Sequence, residues 1–278
     1  MPFYCPVCKR PLYPEGGSLY CQARHCFDRA KSGYVNLLTA NQAHSRAPGD
    51  NRRMVETRKA FLEAGYYAPL RKELCEMLAS FALECAGEEP IALLDAGCGE
   101  GYYTGEMART LCRSGKALEA MGIDISKWAV DLAAKRTKLV SFAVGSVFHL
   151  PLAEESCHIV TEIFAPFCRE EYYRVLKNNG LLILVIPAPR HLWELKQAIY
   201  QKPYPNEAKP YEIEGFSFLY REPVEFQMLL DSPEDIRNLF EMTPYAYKTS
   251  KEDTARLLQL NSLQTTAGFE ILVYRACK

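Results

Sequence analysis

Between Pro90 and Pro187 apolar segments of strand length alternate with stretches whose apolar residues recur at helical spacing. The strand-like runs are IALLDAGCG, ALEAMGIDIS, LVSFAVGS, CHIVTEIFA and GLLILVIP. Between them lie a helix over 102–113, one from Lys127 and one ending near Leu176. Strands that are apolar along most of their length are buried on both faces, and intervening helices are the crossovers that parallel pairing requires. The pattern predicts an α/β domain over 86–278 with a doubly wound, mostly parallel sheet. Farther on, Ser232-Pro233 reads as a cap with proline in the first helical turn, and GFEILVYR at 268–275 reads as a last strand.

The preceding segment, 39–85, is a hinge followed by a helical lead-in. TANQAHSRAPGDNRR at 39–53 is polar and turn-forming. Asp50 is placed to cap a helix running through Met54, Thr57, Phe61 and Leu62 toward Gly65. Pro69 opens a second helix with Leu70, Leu74, Met77, Leu78 and Phe81 on one face.

Residues 1–38 include the short apolar piece YVNLL at 34–38, and they carry metal-ligand spacing: Cys5-x-x-Cys8, twelve residues, then Cys21-x-x-x-His25. Two close pairs of such residues can surround one tetrahedral ion and leave no position for a reacting water. This predicts a structural Zn²⁺ site, with Cys5, Cys8 and Cys21 as ligands and either His25 or its neighbour Cys26 as the fourth, His25 preferred. The metal module and the α/β domain are expected to have separate cores.

Composition adds a compartment and a partner. The chain of 278 residues has no run approaching twenty apolar residues, its start lacks a leader-like apolar stretch, and its eleven cysteines are an odd number, mostly scattered. Reduced thiols in a cytoplasmic protein are the expectation, with no membrane partner. Net charge is −1, yet residues 1–60 hold ten Lys and Arg against four Asp and Glu, a balance of +6, leaving 23 against 30, or −7, for the rest. Arg24, Arg29, Lys31, Arg46, Arg52, Arg53, Arg58 and Lys59 could meet an RNA backbone, or simply keep a small module in solution.

The chemistry-bearing segment is Asp95-Ala96-Gly97-Cys98-Gly99-Glu100-Gly101, which leaves a buried strand and enters a helix. Glycines at alternate positions let a backbone approach a ligand closely, since a Cβ at Gly97, Gly99 or Gly101 would occupy the ligand's space. A second strand ends in Gly122-Ile123-Asp124, whose carboxylate can accept both hydroxyls of a ribose. A hydride-transfer loop normally reads G-x-G-x-x-G, and here the third glycine comes one residue early.

These motifs, with Gly145-Ser146 and Leu150-Pro151 after the third strand, resemble the class I S-adenosylmethionine-dependent methyltransferases. The resemblance implies that Asp124 binds the ribose, that Ser146 stands where an Asp often meets the adenine, and that the glycines underlie the amino acid part. Taken whole, the chain is similar to the bacterial 23S rRNA guanine-N1-methyltransferases that modify the hairpin 35 loop. The likeness is carried by the metal module, Phe27-Asp28-x-Ala30-Lys31-x-Gly33-Tyr34-Val35-Asn36-Leu37, Ser45-Arg46-x-Pro48-Gly49-Asp50, Phe61-Leu62-x-Ala64-Gly65-x-Tyr67, Gly97 through Tyr103, Ala165-Pro166, His191-Leu192-x-Glu194-Leu195 and Met242-Thr243-Pro244. It implies zinc at Cys5, Cys8, Cys21 and His25, and cofactor contacts from Tyr67, Asp95, Gly97, Gly99, Glu100, Gly101, Asp124, Ser146 and His191. It also implies a homodimer whose two metal modules help form an RNA cleft.

Tyr102 and Tyr103 stand near the cofactor loop by sequence, and Glu162 and His191 are candidates to take the guanine N1 proton. A methyltransferase acting on a small molecule or another RNA, and a zinc protein that binds RNA without turnover, are the alternatives. The Asp95 loop with Asp124 argues against the silent form, and the basic module against a small-molecule substrate.

Overall fold

The computed structural model describes residues 2–42, 48–207 and 211–278, without the side chains of Leu83 and Cys85; Arg46, one of the RNA-contact candidates, lies outside these. Three short strands, β1 (Tyr13–Glu15), β2 (Ser18–Tyr20) and β3 (Cys26–Asp28), form an antiparallel sheet in the order β1-β2-β3. A two-residue strand, β4 (Val35–Asn36), leads to helices α1 (Arg52–Glu63) and α2 (Ala68–Ala86). Asn51 caps α1, its side chain accepting the Met54 N–H at 3.1 Å. Asp50, expected there from sequence, instead pairs with Arg58, and its backbone carbonyl accepts the Ser126 hydroxyl at 2.7 Å. Adjacent residues both had capping chemistry, and the tertiary partners decided between them.

The α/β part follows in the order β5 (Ile91–Ala96), α3 (Tyr102–Cys112), β6 (Leu118–Asp124), α4 (Lys127–Arg136), β7 (Val140–Val144), β8 (Cys157–Ile163), α5 (Arg169–Val175) and β9 (Leu176–Pro187). Next come α6 (Trp193–Ile199), β10 (Phe216–Leu230), α7 (Pro233–Glu241), α8 (Lys251–Leu257) and β11 (Leu263–Ala276). The main sheet runs β10-β11-β9-β8-β5-β6-β7-β4. Pairing is parallel from β9 to β4, while β11 is antiparallel to both β9 and β10. Chain order departs from β5 in both directions, so a crevice opens at its carboxyl end, where ligands of open α/β sheets bind.

Alternate residues of the central strands enter two apolar layers. Leu93, Ile159, Leu181 and Ile183 face α2, α3, α4, α6 and α7, whereas Leu94, Val160, Leu182 and Leu184 face α5 and the metal module. The module therefore covers part of one sheet face: Phe3, Leu12, Leu19, Val35 and Leu37 share a core with Met121, Ile123 and Ala143. The expectation of separate cores is corrected by this. Beyond packing, β4 pairs with β7, and the Tyr4 N–H donates to the Pro151 carbonyl at 2.8 Å.

Candidate functional site

The module brings Cys5, Cys8, Cys21 and His25 together, one ligand atom from each lying within 4.8 Å of the others. His25 Nδ1 is 3.3 Å from Cys21 Sγ and 3.5 Å from Cys5 Sγ, and Cys8 Sγ is 3.5 Å from Cys21 Sγ. Ligands 2.0–2.3 Å from one tetrahedral Zn²⁺ stand about 3.5–3.8 Å apart, so the donor set and its dimensions fit zinc. Cys26 is exposed on β3, its thiol directed to Asp28, outside the cluster.

At the carboxyl end of β5 all three loop glycines have positive φ: +85° at Gly97, +53° at Gly99 and +81° at Gly101. Their surroundings differ. A Cβ on Gly97 would fall 2.3 Å from Ala165 Cβ, and one on Gly101 would fall 3.0 Å from Ala133 Cβ on α4. These two glycines serve protein packing, which corrects the reading that all three clear space for a ligand. Of the three, Gly99 alone opens onto free space, with nothing within 4 Å of a built Cβ.

Asp124, at the end of β6, stands against Gly99. Its Oδ2 accepts the Gly99 N–H at 2.9 Å and its Oδ1 the Ser126 N–H at 2.8 Å, which fixes the carboxylate and leaves each oxygen a further lone pair. Burial raises its pKa, opposed by those two N–H donors. Ser146 follows β7; its hydroxyl accepts the Phe148 N–H at 3.2 Å, and the preceding Gly145 N–H donates to the Asp124 carbonyl at 3.0 Å.

Asp95 and Glu100 lie deeper. Asp95 is 1 % exposed, and burial pushes its carboxyl up to about 6 despite hydrogen bonds from Thr104 and Thr161 (2.9 Å) that pull it down. It pins α3 and β8 to the end of β5. Glu100 Oε2 pairs with Arg136 at 2.7 Å, and Arg136 continues to Glu63 on α1 at 3.0 Å, tying the loop to the lead-in helix. Burial raises the Glu100 pKa, and Arg136 opposes it.

An aromatic floor lies alongside. Tyr67, the residue preceding α2, sets its ring edge-on to Phe61 and Phe269 at 5.1 and 5.0 Å, and its hydroxyl is 3.5 Å from His191 Nε2. His191 Nδ1 accepts the Gly268 N–H at 3.3 Å, and burial lowers the imidazole pKa to about 3. The ring is neutral and unsuited to take a proton from guanine. Tyr103 packs edge-on to Tyr102, whereas Tyr102 lies in the helix seam under Arg71, 4.4 Å from its ring. Glu162 Oε1 accepts the Ala165 N–H at 2.7 Å and shapes the turn after β8. That turn carries the residue the sequence did not reveal: Phe164, at φ +56° and 45 % exposed.

Residues 3–46 match a zinc-ribbon family model described as RlmA, N-terminal, and residues 88–243 match one described as Methyltransferase domain. YxjB of Bacillus subtilis (strain 168), assigned by name to the 23S rRNA (guanine-N1)-methyltransferases, is 32 % identical over 98 % of this chain and 96 % of its own. The chain belongs to that family. It is a methyltransferase that uses S-adenosylmethionine and carries a zinc ribbon. A Streptomyces fradiae relative, named 23S rRNA (guanine(748)-N(1))-methyltransferase, is 37 % identical over 70 % of this chain and 66 % of its own. By contrast, a Serratia marcescens malonyl-[acyl-carrier protein] O-methyltransferase is 28 % identical over 50 % of this chain and 54 % of its own. Among the described residues no helix is long and apolar enough to cross a membrane.

Proposed function

We propose that the chain transfers a methyl group from S-adenosylmethionine to N1 of a guanine in the hairpin 35 loop of 23S rRNA, in the cytoplasm and as a homodimer. The observation that carries this reading is the pairing of a carboxylate fitted to a ribose, Asp124 fixed by the Gly99 N–H beside the open space at Gly99, with a basic ribbon packed on the same sheet. A small-molecule enzyme needs the first and has little use for the second.

In this reading zinc is held by Cys5, Cys8, Cys21 and His25 and keeps the ribbon folded. Asp124 takes the ribose hydroxyls on its remaining lone pairs, Gly99 lets the cofactor lie against the loop, and Ser146 borders the adenine. Tyr67 and His191 form an apolar wall with one polar edge. Asp95, Glu100, Gly97 and Gly101 position the loop from below. The cofactor supplies an electrophilic methyl group, and the chain aligns the guanine and excludes water. A guanine in a structured loop must leave its stack to reach the pocket.

The test is to map N1-methylated guanines, which block base pairing and stop reverse transcription, in 23S rRNA from strains with and without the gene. A stop in hairpin 35 that appears only with the gene is the expected result. Identical maps, with turnover of a small acceptor by the purified chain, would overturn the reading.

A further inference from the structure

Phe164 combines three features that seldom coincide. Its backbone lies in the left-handed region, which bulky side chains rarely adopt and which persists where surrounding structure enforces it. Here the enforcing contacts are visible: Glu162 accepts the Ala165 N–H, the missing Cβ of Gly97 admits Ala165, and the Phe164 N–H reaches the Val185 carbonyl at 3.4 Å. The result of this constraint is an exposed ring rather than a buried one. One edge rests on Phe269, with ring centres 5.3 Å apart, and Tyr103 meets it edge-on at 6.4 Å. The hydroxyl of that same Tyr103 is buried and hydrogen-bonds to no described residue. Burial raises the Tyr103 pKa, so the group remains an O–H donor.

An exposed apolar ring and a desolvated donor without an acceptor each disfavour the free protein, and a flat, apolar-faced ligand with an acceptor on its edge would cover the first and pair the second, while the constrained backbone holds the ring in place. We propose that Phe164 is the face on which the target guanine stacks, and that the Tyr103 hydroxyl meets an acceptor on the base edge, such as O6. This deepens the guanine-methyltransferase reading and rests on it. Stacking on one aromatic face suits every base, so Phe164 would secure the extruded base and Tyr103 would discriminate among bases.

The experiment uses the full zinc-loaded chain, S-adenosylmethionine and a 23S rRNA fragment containing hairpin 35. Phe164→Ala should leave cofactor affinity by calorimetry within twofold of wild type and cut kcat/KM for the RNA by about 10- to 100-fold, with Phe164→Trp restoring most of it. Phe164→Gly separates function from structure, because glycine suits the positive φ. It should keep or raise the thermal midpoint while losing as much activity as the alanine variant. Tyr103→Phe should lower kcat/KM by about 5- to 100-fold at unchanged cofactor affinity. Variants as active as wild type, or activity falling in step with the thermal midpoint or with cofactor affinity, would overturn the proposal. A wild-type chain that binds S-adenosylmethionine yet methylates no guanine of the fragment would remove the parent reading, and this one with it.

Discussion

His191 Nδ1 accepts the backbone N–H of Gly268, so the imidazole carries its own proton on Nε2 toward Tyr67 and cannot ionise without breaking a buried contact. With its pKa lowered by burial to about 3, against about 6.5 in the unfolded chain, the unfolded state binds the extra proton first. Stability from this site is therefore whole above pH ~6.5 and falls as pH drops toward 3, by at most about 4–5 kcal/mol. Asp95 acts oppositely: its carboxyl is raised to about 6, so protonation between pH ~6 and ~4 favours the fold. Urea unfolding of wild type and His191→Gln from pH 4.5 to 7.5 isolates the histidine, since Asp95 is common to both. The variant should lose less stability on acidification; parallel curves would show that His191 ionises freely in the fold.

The loop glycines should separate under substitution. Gly97→Ala meets Ala165 at 2.3 Å and a positive φ together, and should cost about 2–4 kcal/mol of stability. Gly99→Ala meets open space and should cost only about 1 kcal/mol, yet weaken S-adenosylmethionine binding. Unfolding without cofactor and calorimetry with it distinguish the two. Equal stability losses would remove the distinction between packing and clearance.

Asp124→Ala should lower cofactor affinity by about 10- to 100-fold, because two ribose hydroxyls lose a charged acceptor and the Gly99 and Ser126 N–H groups lose theirs. Asp124→Asn retains one acceptor oxygen and should fall between. Unchanged affinity in both variants would move the ribose elsewhere.

Cys5→Ser and Cys21→Ser should abolish zinc binding, whereas Cys26→Ser should retain about one Zn²⁺ per chain, since its thiol stands outside the cluster. The shared core carries the damage beyond the ribbon. With Phe3, Leu12 and Leu19 packed on Met121 and Ile123, losing zinc exposes part of a sheet face and should lower the urea midpoint of the α/β part as well. A ribbon that melts alone, with an unchanged second transition, would contradict that coupling.

Much of the architecture was legible because β5, β8 and most of β9 are buried on both faces, so apolar residues predominate in them, the exceptions being Asp95, His158, Thr161 and Glu162 and the polar start of β9. β10 escaped notice for the converse reason. It is an edge strand with Arg221, Glu222, Pro223 and Glu225 at its centre, and its exposed positions outnumber its half-buried ones, so its residues resemble a loop. β4 has two residues and exists only because β7 is there to pair with it. At the site, the glycine spacing was readable but its causes were not: which glycine meets Ala133, which meets Ala165 and which meets open space depends on elements distant in sequence. Phe164 gave no signal because a φ angle is not written in residue type.

The basic segment provides a last test. Arg52 is 2.7 Å from Glu56 and 5.7 Å from the Trp128 ring, and Arg53 pairs with Glu241; both arginine side chains are largely exposed. Exposed pairs of this kind contribute little to stability, so RNA phosphate can replace the carboxylates at small cost. Reversal to Glu would set Arg53's replacement against Glu241, so neutral Gln is the cleaner change at both positions. The double Gln variant should bind a hairpin 35 fragment more weakly and flatten the log–log salt slope by roughly 0.7–0.9 for each phosphate it no longer neutralises. Cofactor affinity should stay the same, because neither side chain has a hydrogen bond to the glycine loop or Asp124. Titrations over a range of salt read the slope directly. Equal slopes would take the start of α1 out of the RNA interface and leave the ribbon's own Arg24, Arg29 and Lys31 as the charges that meet the RNA.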